Sequence, residues 1–297
     1  MNQGSVNLGA SAEAIQHHYD VGNEFYQLWL DSSCTYSCAL WEGNDTLEQA
    51  QTRKLDYHIF QSRAERAGRV LDVGCGWGSL LKRLVQAHGV GQAVGLTLSE
   101  KQAKHIIGFN EPRITVRLES WQDHLPEQAY DAIISVGAFE HFAQSDLPEA
   151  KKVDAYRQFF KRCHDWLKPG GFISLQSIAY ENSGREDLPE FISKTIFPES
   201  DLPRLAEIAK ASERLFEIVL VRNERNQYEK TIREWRQRLI QHREEAVRLV
   251  GEETVARYDK YLQLSLIGFH IGTTGLLRIT LRRVTDPRGA FPSGTRI

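Results

Sequence analysis

The sequence lacks the features that mark nucleic-acid-binding, membrane-spanning, secreted and metal-binding proteins. Its formal net charge is -2, without the basic excess that binding to nucleic-acid phosphates requires. No apolar run approaches the roughly 20 residues that span a bilayer, and residues 1–10 are polar, unlike the core of a signal peptide. Its four cysteines show no Cys-x-x-Cys spacing: Cys34, Cys38, Cys75 and Cys163. We therefore expect a soluble, cytoplasmic protein without a metal site, a disulfide framework, a nucleic-acid partner or an integral membrane segment.

The central part of the chain alternates short apolar runs with helical patterns. Strands are predicted over Val70–Val73, Ala93–Leu96, Ile114–Leu118, Tyr130–Val136 and Phe172–Ile178, and further along over Leu215–Val221 and Leu276–Val284. Helical patterns lie between them, with Ser99 as one N-cap and Asp154–Leu167 as the strongest helix. This alternation is typical of an α/β fold with a parallel sheet covered by helices.

Further helices are predicted on both sides of this region. Thr46 is expected to cap a helix over Leu47–Ala64, and Ser11 to cap one that carries Ala14, Ile15, His18 and Tyr19. A helix over Leu202–Ala211 and two long charged helices, at about 226–249 and 252–267, precede the last strand. We expect one compact domain in four parts: a helical cap (1–64), a Rossmann-like core (65–178), a lid with a connecting helix (179–212) and the rest of the sheet with the inserted helices (213–297).

A glycine-rich turn follows the first predicted strand, where residues 71–78 read Leu-Asp-Val-Gly-Cys-Gly-Trp-Gly. Gly74, Gly76 and Gly78 allow a sharp turn and a close approach to a ligand. A dinucleotide dehydrogenase has a similar turn, but its third glycine lies one residue further on. The spacing and Asp72 favour S-adenosylmethionine, with Asp72 organising either the loop or the amino-acid end of the ligand. A packing turn without a ligand is the alternative.

The end of the second predicted strand lacks the acidic residue that usually binds ribose hydroxyls in a Rossmann site. Residues 95–99 read Gly-Leu-Thr-Leu-Ser instead. This departure from the general pattern directs attention to a narrower group of proteins.

Five motifs occur in a fixed order along nearly the whole chain. They are 18–26 (His-Tyr-Asp-Val-Gly-Asn-Glu-Phe-Tyr), 35–39 (Thr-Tyr-Ser-Cys-Ala), 71–78, 95–99 with Gln102, and 136–142 (Val-Gly-Ala-Phe-Glu-His-Phe). Residues Ile196-Phe197-Pro198, Leu202-Pro203, Tyr228, Thr231 and Trp235 continue the set. The set resembles the family of cyclopropane fatty acid synthases and mycolic acid cyclopropane synthases, with the length of the short mycolic-type members. The resemblance implies a seven-stranded Rossmann-like sheet of the class I methyltransferase type, with N-terminal helices and a helical insertion before the last strand.

The resemblance implies that the cofactor is S-adenosylmethionine, and it assigns contacts to each part of that molecule. Tyr36 and Ser37 would contact the methionine end, above Gly74 and Gly76. The ribose would be bound by Thr97, Leu98 and Gln102. The adenine would stack near Trp121, over Val136 and Gly137.

In this family the methyl group is added to an alkene carbon, and a bound bicarbonate then removes a proton so that a ring closes. The resemblance implies that bicarbonate is bound by Glu140, Tyr228 and the backbones of Cys38 and Ile178. The family has a histidine in the fifth strand as another ligand, where this chain has Gln176, which donates a hydrogen bond but carries no charge. Addition of the methyl group leaves a carbocation, which needs a dry pocket with π faces. The candidates for these faces are Tyr19, Tyr36, Phe139 and Phe142.

Two features leave the acceptor open. The lid segment, with residues 181–187 reading Glu-Asn-Ser-Gly-Arg-Glu-Asp, is shorter and more polar than the aromatic lid of the family, so it offers fewer apolar walls for an acyl chain. Glu140 and His141 together could serve as a general acid and base, although a loop histidine bonded to backbone is an equally good interpretation of His141. His17 and His18 lack a third metal ligand.

Three functions follow from these features. The first is C-methylation or cyclopropanation of an unsaturated, lipid-like acyl substrate, carried by a protein or a lipid. The second is N- or C-methylation of a small metabolite with Glu140 or His141 as base, and the third is non-catalytic binding. The arginines of the helix from Tyr228 to Leu249 could dock an acidic carrier protein or an anionic lipid. Interleaved glutamates favour a solvated helix instead.

Overall fold

The fold is built around one seven-stranded sheet with the order β3-β2-β1-β4-β5-β7-β6. The computed structural model describes Gly9, Ser11 and residues 21–145, 147–196 and 199–285. The strands are β1 (Arg69–Val73), β2 (Gln92–Thr97), β3 (Ile114–Leu118), β4 (Tyr130–Val136), β5 (Leu167–Tyr180), β6 (Phe216–Asn223) and β7 (Thr274–Arg283). The pairs among β1 to β5 are parallel, and β7 runs antiparallel between β5 and β6.

The strand order reverses between β1 and β4, which pair in parallel with Leu71 opposite Ile133. Chain connections leave β1 and β4 in opposite directions at this point, so a crevice opens at the carboxyl ends of these strands. β1 and β4 are buried on both faces, as central strands of a covered parallel sheet require. The glycine-rich turn and residues 136–142 both begin at this edge.

Helices cover both faces and extend the fold beside β5 and β7. They are α1 (Asn23–Gln27), α2 (Leu47–Gln61), α3 (Ser79–Gln86), α4 (Glu100–Ile107), α5 (Glu149–Trp166), α6 (Leu205–Ser212), α7 (Arg225–Gln241), α8 (Arg243–Val250) and α9 (Glu252–Ile271). Two predicted caps are confirmed. Thr46 forms a capping box with Gln49, and the Ser99 side chain accepts a hydrogen bond from the Gln102 amide.

Several predicted helix boundaries are wrong, each for a local reason. The helix from Leu47 ends at Gln61 rather than Ala64, because Arg63 has a left-handed backbone with φ of 57°. The helix predicted over 226–249 is divided at His242, whose backbone (φ -103°, ψ 21°) leaves the helical region. The predicted start at Leu202 shifts to Leu205, behind Pro203. The helix predicted from Ser11 and the residues His17, His18, Tyr19, Phe197 and Pro198 lie outside the described residues.

Buried aromatic residues form a cluster between α1, α7 and α9. Tyr26 and Trp29 of this cluster lie against Tyr36, with ring centroids 5.5 and 5.3 Å away. Trp235 of α7 contacts the same ring at 5.2 Å. Tyr36 is therefore held by three neighbouring rings, and the loop before α2 is fixed over the carboxyl edge of the sheet.

Among the described residues, no helix combines enough length and apolar character to cross a membrane. The described part of the chain also contains no group of three or more histidine, cysteine or acidic side chains that could bind a metal ion.

Candidate active site

A cavity of about 150 Å³ lies at the carboxyl ends of β1, β2 and β4, at the point where the strand order reverses. Every residue predicted to bind the cofactor lines it: Tyr36, Ser37, Asp72, Gly74, Gly76, Thr97, Leu98, Gln102, Trp121, Val136 and Gly137. We call it the cofactor cavity. These residues come from separate segments of the chain, and the parallel sheet brings the segments together because their strand ends share one edge.

The glycine-rich turn forms the floor of the cofactor cavity. Gly74 has φ of 83°, and a Cβ atom there would lie 2.4 Å from Cβ of Ala138. Gly76 has φ of 53°, and a Cβ there would meet no atom within 4 Å, so this position faces open space. Both positions therefore favour glycine for backbone conformation, and Gly74 also for lack of room.

Thr97 and Gln102 occupy the place where a Rossmann site usually has an acid. The Thr97 hydroxyl donates to Oε1 of Gln102 over 2.7 Å and accepts from the Ser99 amide over 3.1 Å. Both side chains are buried. Their remaining polar atoms provide neutral donors and acceptors that suit ribose hydroxyls without placing a charge there.

Lys54 was not singled out from the sequence, yet it lines the cofactor cavity beside Asp72. Its ammonium group donates to the Ser37 hydroxyl over 2.7 Å, and the residue is 1% exposed. Burial lowers the pKa of Lys54 to about 7 and raises the pKa of Asp72 to about 7. A lysine in the middle of a predicted helix gave no sign of this position, since its place depends on how α2 packs on the sheet.

A second cavity, of about 230 Å³, adjoins the first. We call it the acceptor cavity. The two share Tyr36, Ser37, Gly137 and His141 in their linings. The other lining residues are mostly apolar, and they include Leu188, Pro189, Ile192, Ile232, Leu264, Ile267, Phe269, Ile271 and Leu276. Although residues 181–187 of the lid are polar, α7, α9 and β7 provide apolar walls, and Leu188, Pro189 and Ile192 of the lid add to them.

Glu140 is the buried carboxylate of the acceptor cavity. It lies in a single 3-10 turn (Phe139–His141) after β4, and its Oε1 accepts a hydrogen bond of 2.6 Å from the Ile178 amide. Oε2 is buried and has no hydrogen-bond partner among the described residues. Burial raises the pKa of Glu140 to about 7. The group is thus oriented by one oxygen and able to exchange a proton near neutral pH through the other.

Gln176 of β5 is 1% exposed and lines the acceptor cavity. Its Oε1 accepts from Nε of Arg278 over 2.9 Å and lies 3.3 Å from a ring nitrogen of His58. Arg278 of β7 is fully buried, lies directly opposite Gln176 in the ladder, and also pairs with Glu224 over 3.1 Å. With its carbonyl oxygen engaged in this way, the amide nitrogen of Gln176 is the group left to donate towards the cavity.

The backbones of Cys38 and Ile178, predicted to bind bicarbonate, form hydrogen bonds with protein side chains. The Cys38 carbonyl accepts from Nη2 of Arg278 over 3.2 Å, and Cys38 is absent from the lining of the acceptor cavity. The Ile178 amide donates to Glu140, as described above. The Cys38 carbonyl and the Ile178 amide therefore already have protein partners, and of the two residues only Ile178 lines the acceptor cavity.

His141 lines both cavities, and its Nδ1 lies 2.6 Å from the Ser200 hydroxyl. Burial lowers its pKa to about 4, so the imidazole is neutral at pH 7 and accepts a proton poorly.

Tyr228 of α7 lines the acceptor cavity, with its ring centroid 4.6 Å from that of Phe269. Of the proposed π faces, Tyr36 reaches this cavity and Phe142 only the cofactor cavity, whereas Phe139 packs in the core.

Several arginines of the basic helix that could serve as a docking face, predicted from Tyr228 to Leu249, form ion pairs. Arg233 pairs with Glu229 over 2.7 Å, and Arg236 pairs with Asp259 over 2.7 Å. Arg238 donates to Glu48 over 2.8 Å. These contacts agree with a solvated, internally paired face.

The fold and the pair of cavities define an S-adenosylmethionine-dependent methyltransferase of class I. A model of the family described as mycolic acid cyclopropane synthetase matches residues 7–279. The chain belongs to that family, as the sequence motifs predicted.

Relatives with assigned names agree with this placement. Cyclopropane mycolic acid synthase MmaA2 of Mycobacterium tuberculosis is 33% identical over 290 residues, covering 91% of this chain and 97% of that protein. Cyclopropane mycolic acid synthase 2 of Mycobacterium leprae is 35% identical over 272 residues, covering 84% and 87%. The crystal structure of mycolic acid cyclopropane synthase CmaA1 complexed with SAH and CTAB has a TM-score of 0.84 at 31% identity, covering 94% of this chain and 100% of that one.

Proposed function

We propose that the enzyme transfers a methyl group from S-adenosylmethionine to an alkene carbon of a lipid-like acyl substrate and closes a cyclopropane ring. The observation that carries the proposal is the acceptor cavity. It is mostly apolar, it meets the cofactor cavity at Tyr36, Ser37 and Gly137, and its wall holds one buried carboxylate, Glu140.

The apolar walls support an acyl chain as the acceptor. Ile232, Leu264 and Leu276 belong to three different elements and line the same cavity. An apolar chain gains about 0.8 kcal/mol for each methylene that it buries there, whereas a polar amine would lose hydrogen bonds to water. The related synthase CmaA1 was solved with the lipid-like detergent CTAB, and other relatives are named as cyclopropane mycolic acid synthases.

The residues shared by the two cavities orient the reacting groups. S-adenosylmethionine, when bound, supplies a sulfonium methyl that is already electrophilic. The protein contributes alignment, which is worth roughly 7–11 kcal/mol of barrier when two reactants are held in attack geometry. Tyr36, Tyr228 and Tyr261 present aromatic rings to the acceptor cavity. Their π faces stabilise positive charge that develops on the substrate.

Ring closure removes one proton from the added methyl carbon, so the site needs a base. Glu140, Tyr228 and Gln176 fit a small anion such as bicarbonate. Glu140 has a buried oxygen that no described residue hydrogen-bonds, and the Gln176 carbonyl is already bound by Arg278, which leaves its amide nitrogen as a donor. Bicarbonate, when bound, would supply the oxygen that accepts this proton. Near pH 7 a protonated Glu140 can donate a hydrogen bond to the anion, since burial raises its pKa to about 7.

Methylation of a small metabolite at nitrogen or carbon, with Glu140 as base, is the second candidate. Arg185 and Asp187 favour it, since they add polar groups to one end of the acceptor cavity. Coclaurine N-methyltransferase shares the fold at a TM-score of 0.78 and 18% identity, which is a likeness of fold alone. The apolar walls make this function the less supported of the two.

Mass spectrometry of products separates these functions. The purified protein is incubated with S-adenosylmethionine and either a cis-unsaturated acyl lipid, the matched saturated lipid or a panel of amines. We expect a gain of one methylene mass on the unsaturated lipid only. Methylated amines together with an unchanged unsaturated lipid would contradict the proposal and favour the second function.

A further inference from the structure

Lys54 is a buried cation in the wall of the cofactor cavity. It is 1% exposed, and the Ser37 hydroxyl lies 2.7 Å from its ammonium group. Within the described part of the chain, no carboxylate forms an ion pair with it within 4.0 Å. A buried ammonium without a close counter-charge is costly unless a ligand supplies one.

Asp72 has the opposite charge and lines the same cavity from the end of β1. It is 2% exposed. Lys54 and Asp72 act on each other electrostatically, since Lys54 lowers the pKa of Asp72 while Asp31 and, more weakly, Asp72 raise that of Lys54. Burial opposes both charges, and Arg278 also opposes the charge of Lys54. Lys54 and Asp72 thus give the cavity a potential cation and a potential anion that form no direct ion pair, and Glu119 is a further acidic residue in its lining.

The position of this pair along the cavity identifies the part of the ligand that it faces. Thr97, Gln102 and Trp121 lie on the strand β2 side, where ribose and adenine are expected. Ser37, which Lys54 contacts, lies at the junction with the acceptor cavity. The methyl group must reach this junction, so the sulfonium and the amino-acid end attached to it lie near Ser37.

We propose that Lys54 binds the α-carboxylate of S-adenosylmethionine and that Asp72 faces its α-ammonium group. The two side chains then match a zwitterion, charge for charge, in a site shielded from water, where such contacts are strong. The assignment concerns recognition of the cofactor and holds whichever acceptor the enzyme methylates.

The test compares two ligands by calorimetry on a Lys54→Met variant. S-adenosylhomocysteine carries the amino-acid end, and 5′-methylthioadenosine lacks it. We expect affinity for S-adenosylhomocysteine to fall about 10- to 100-fold, as loss of a charged hydrogen bond implies, and affinity for 5′-methylthioadenosine to change less than about twofold. An equal loss for both ligands, or no loss for either, would overturn the assignment.

Matched variants keep the test independent of folding. Lys54→Met removes a buried charge and keeps an unbranched side chain, so the thermal unfolding temperature without ligand should not fall. Arg53→Met, at the adjacent position, removes a pairing with Asp45 outside the cavity and should leave both affinities unchanged. Asp72→Asn should repeat the selective loss seen for Lys54→Met, and equal losses for both ligands would contradict the role of Asp72.

Discussion

The cofactor cavity and the acceptor cavity differ in how they are built. The first is formed mainly by short motifs at the ends of neighbouring parallel strands, and some of its polar groups, such as Thr97 and Gln102, lie near one another in sequence. The second combines Glu140, Ile178, Tyr228 and Leu276 from distant elements, and most of its walls are apolar. Much of a cofactor-binding site can therefore be recognised from sequence motifs, whereas the shape of an acceptor site depends on how distant elements pack.

The predictions that follow test whether the two cavities act separately. The largest effect is expected for Glu140→Gln, which keeps the shape of the side chain and removes its ability to exchange a proton with the anion that acts as base. Turnover should fall by at least about 10³-fold, within the range attributed to general acid–base groups. Affinity for S-adenosylmethionine, measured by calorimetry, should stay nearly unchanged. A large loss of affinity would mean that Glu140 binds the cofactor and that the division between the cavities is wrong.

Arg278→Met tests the support beneath the acceptor cavity. It removes the donor to the carbonyl of Gln176 and one of the two arginines that pair with the buried carboxylate of Glu224, the other being Arg222. Breaking a buried pair costs up to about 3–5 kcal/mol of unfolding free energy, which denaturant titration measures. Arg282→Met on the same strand removes an exposed pairing with Glu217 and serves as the control. A loss no larger than that of the control would show that Arg278 is not a structural support.

The pH dependence of stability tests the buried carboxyl of Glu140. Its pKa rises from 4.5 to about 7 on folding, so the folded state holds a proton that the unfolded state releases. The stability associated with this group is fully present below about pH 4.5 and is lost as the pH rises through about 7. Relative to wild type, Glu140→Gln should gain up to about 3 kcal/mol at pH 8 and nothing at pH 4.5. A constant difference between the two proteins across this range would contradict the burial of a neutral carboxyl.

Leu264→Ser tests the apolar wall, with the smallest expected effect. Leu264 of α9 is half-buried and lines the acceptor cavity only. Loss of its apolar contact should raise KM for the acyl substrate about tenfold and leave KM for S-adenosylmethionine unchanged. Leu249→Ser, at an exposed position of α8, is the matched control. Equal changes in both KM values would argue that the cavities are coupled.

The fold was largely predictable because hydrophobic periodicity marks strands and helices wherever one pattern persists. The order of strands and helices, the Thr46 and Ser99 caps and the helical insertion before β7 agree with the structure. Boundaries were less accurate where a backbone conformation decides them, as at Arg63 and His242. No periodic pattern of apolar residues reveals a left-handed residue that ends a helix.

The site was predictable to the extent that its residues belong to motifs. The resemblance led to Tyr36, Glu140 and Tyr228, which the structure brings to the cavity walls. Lys54 and Arg278 were not predicted as site residues, because a charged residue in a helix or strand is usually solvated and only tertiary packing buries these two. The apolar acceptor cavity was not predicted for the same reason, since most of its walls come from α7, α9 and β7 and meet the lid only in the folded structure.

The most direct test of the account follows the hydrogens of the transferred methyl group. The enzyme is incubated with a cis-unsaturated acyl lipid and S-adenosylmethionine that carries a trideuterated methyl, and the product is analysed by mass spectrometry. We predict a product that keeps two of the three deuterium atoms, because bicarbonate bound beside Glu140 takes one when the ring closes. A product that keeps all three, or label found only on amines, would contradict it.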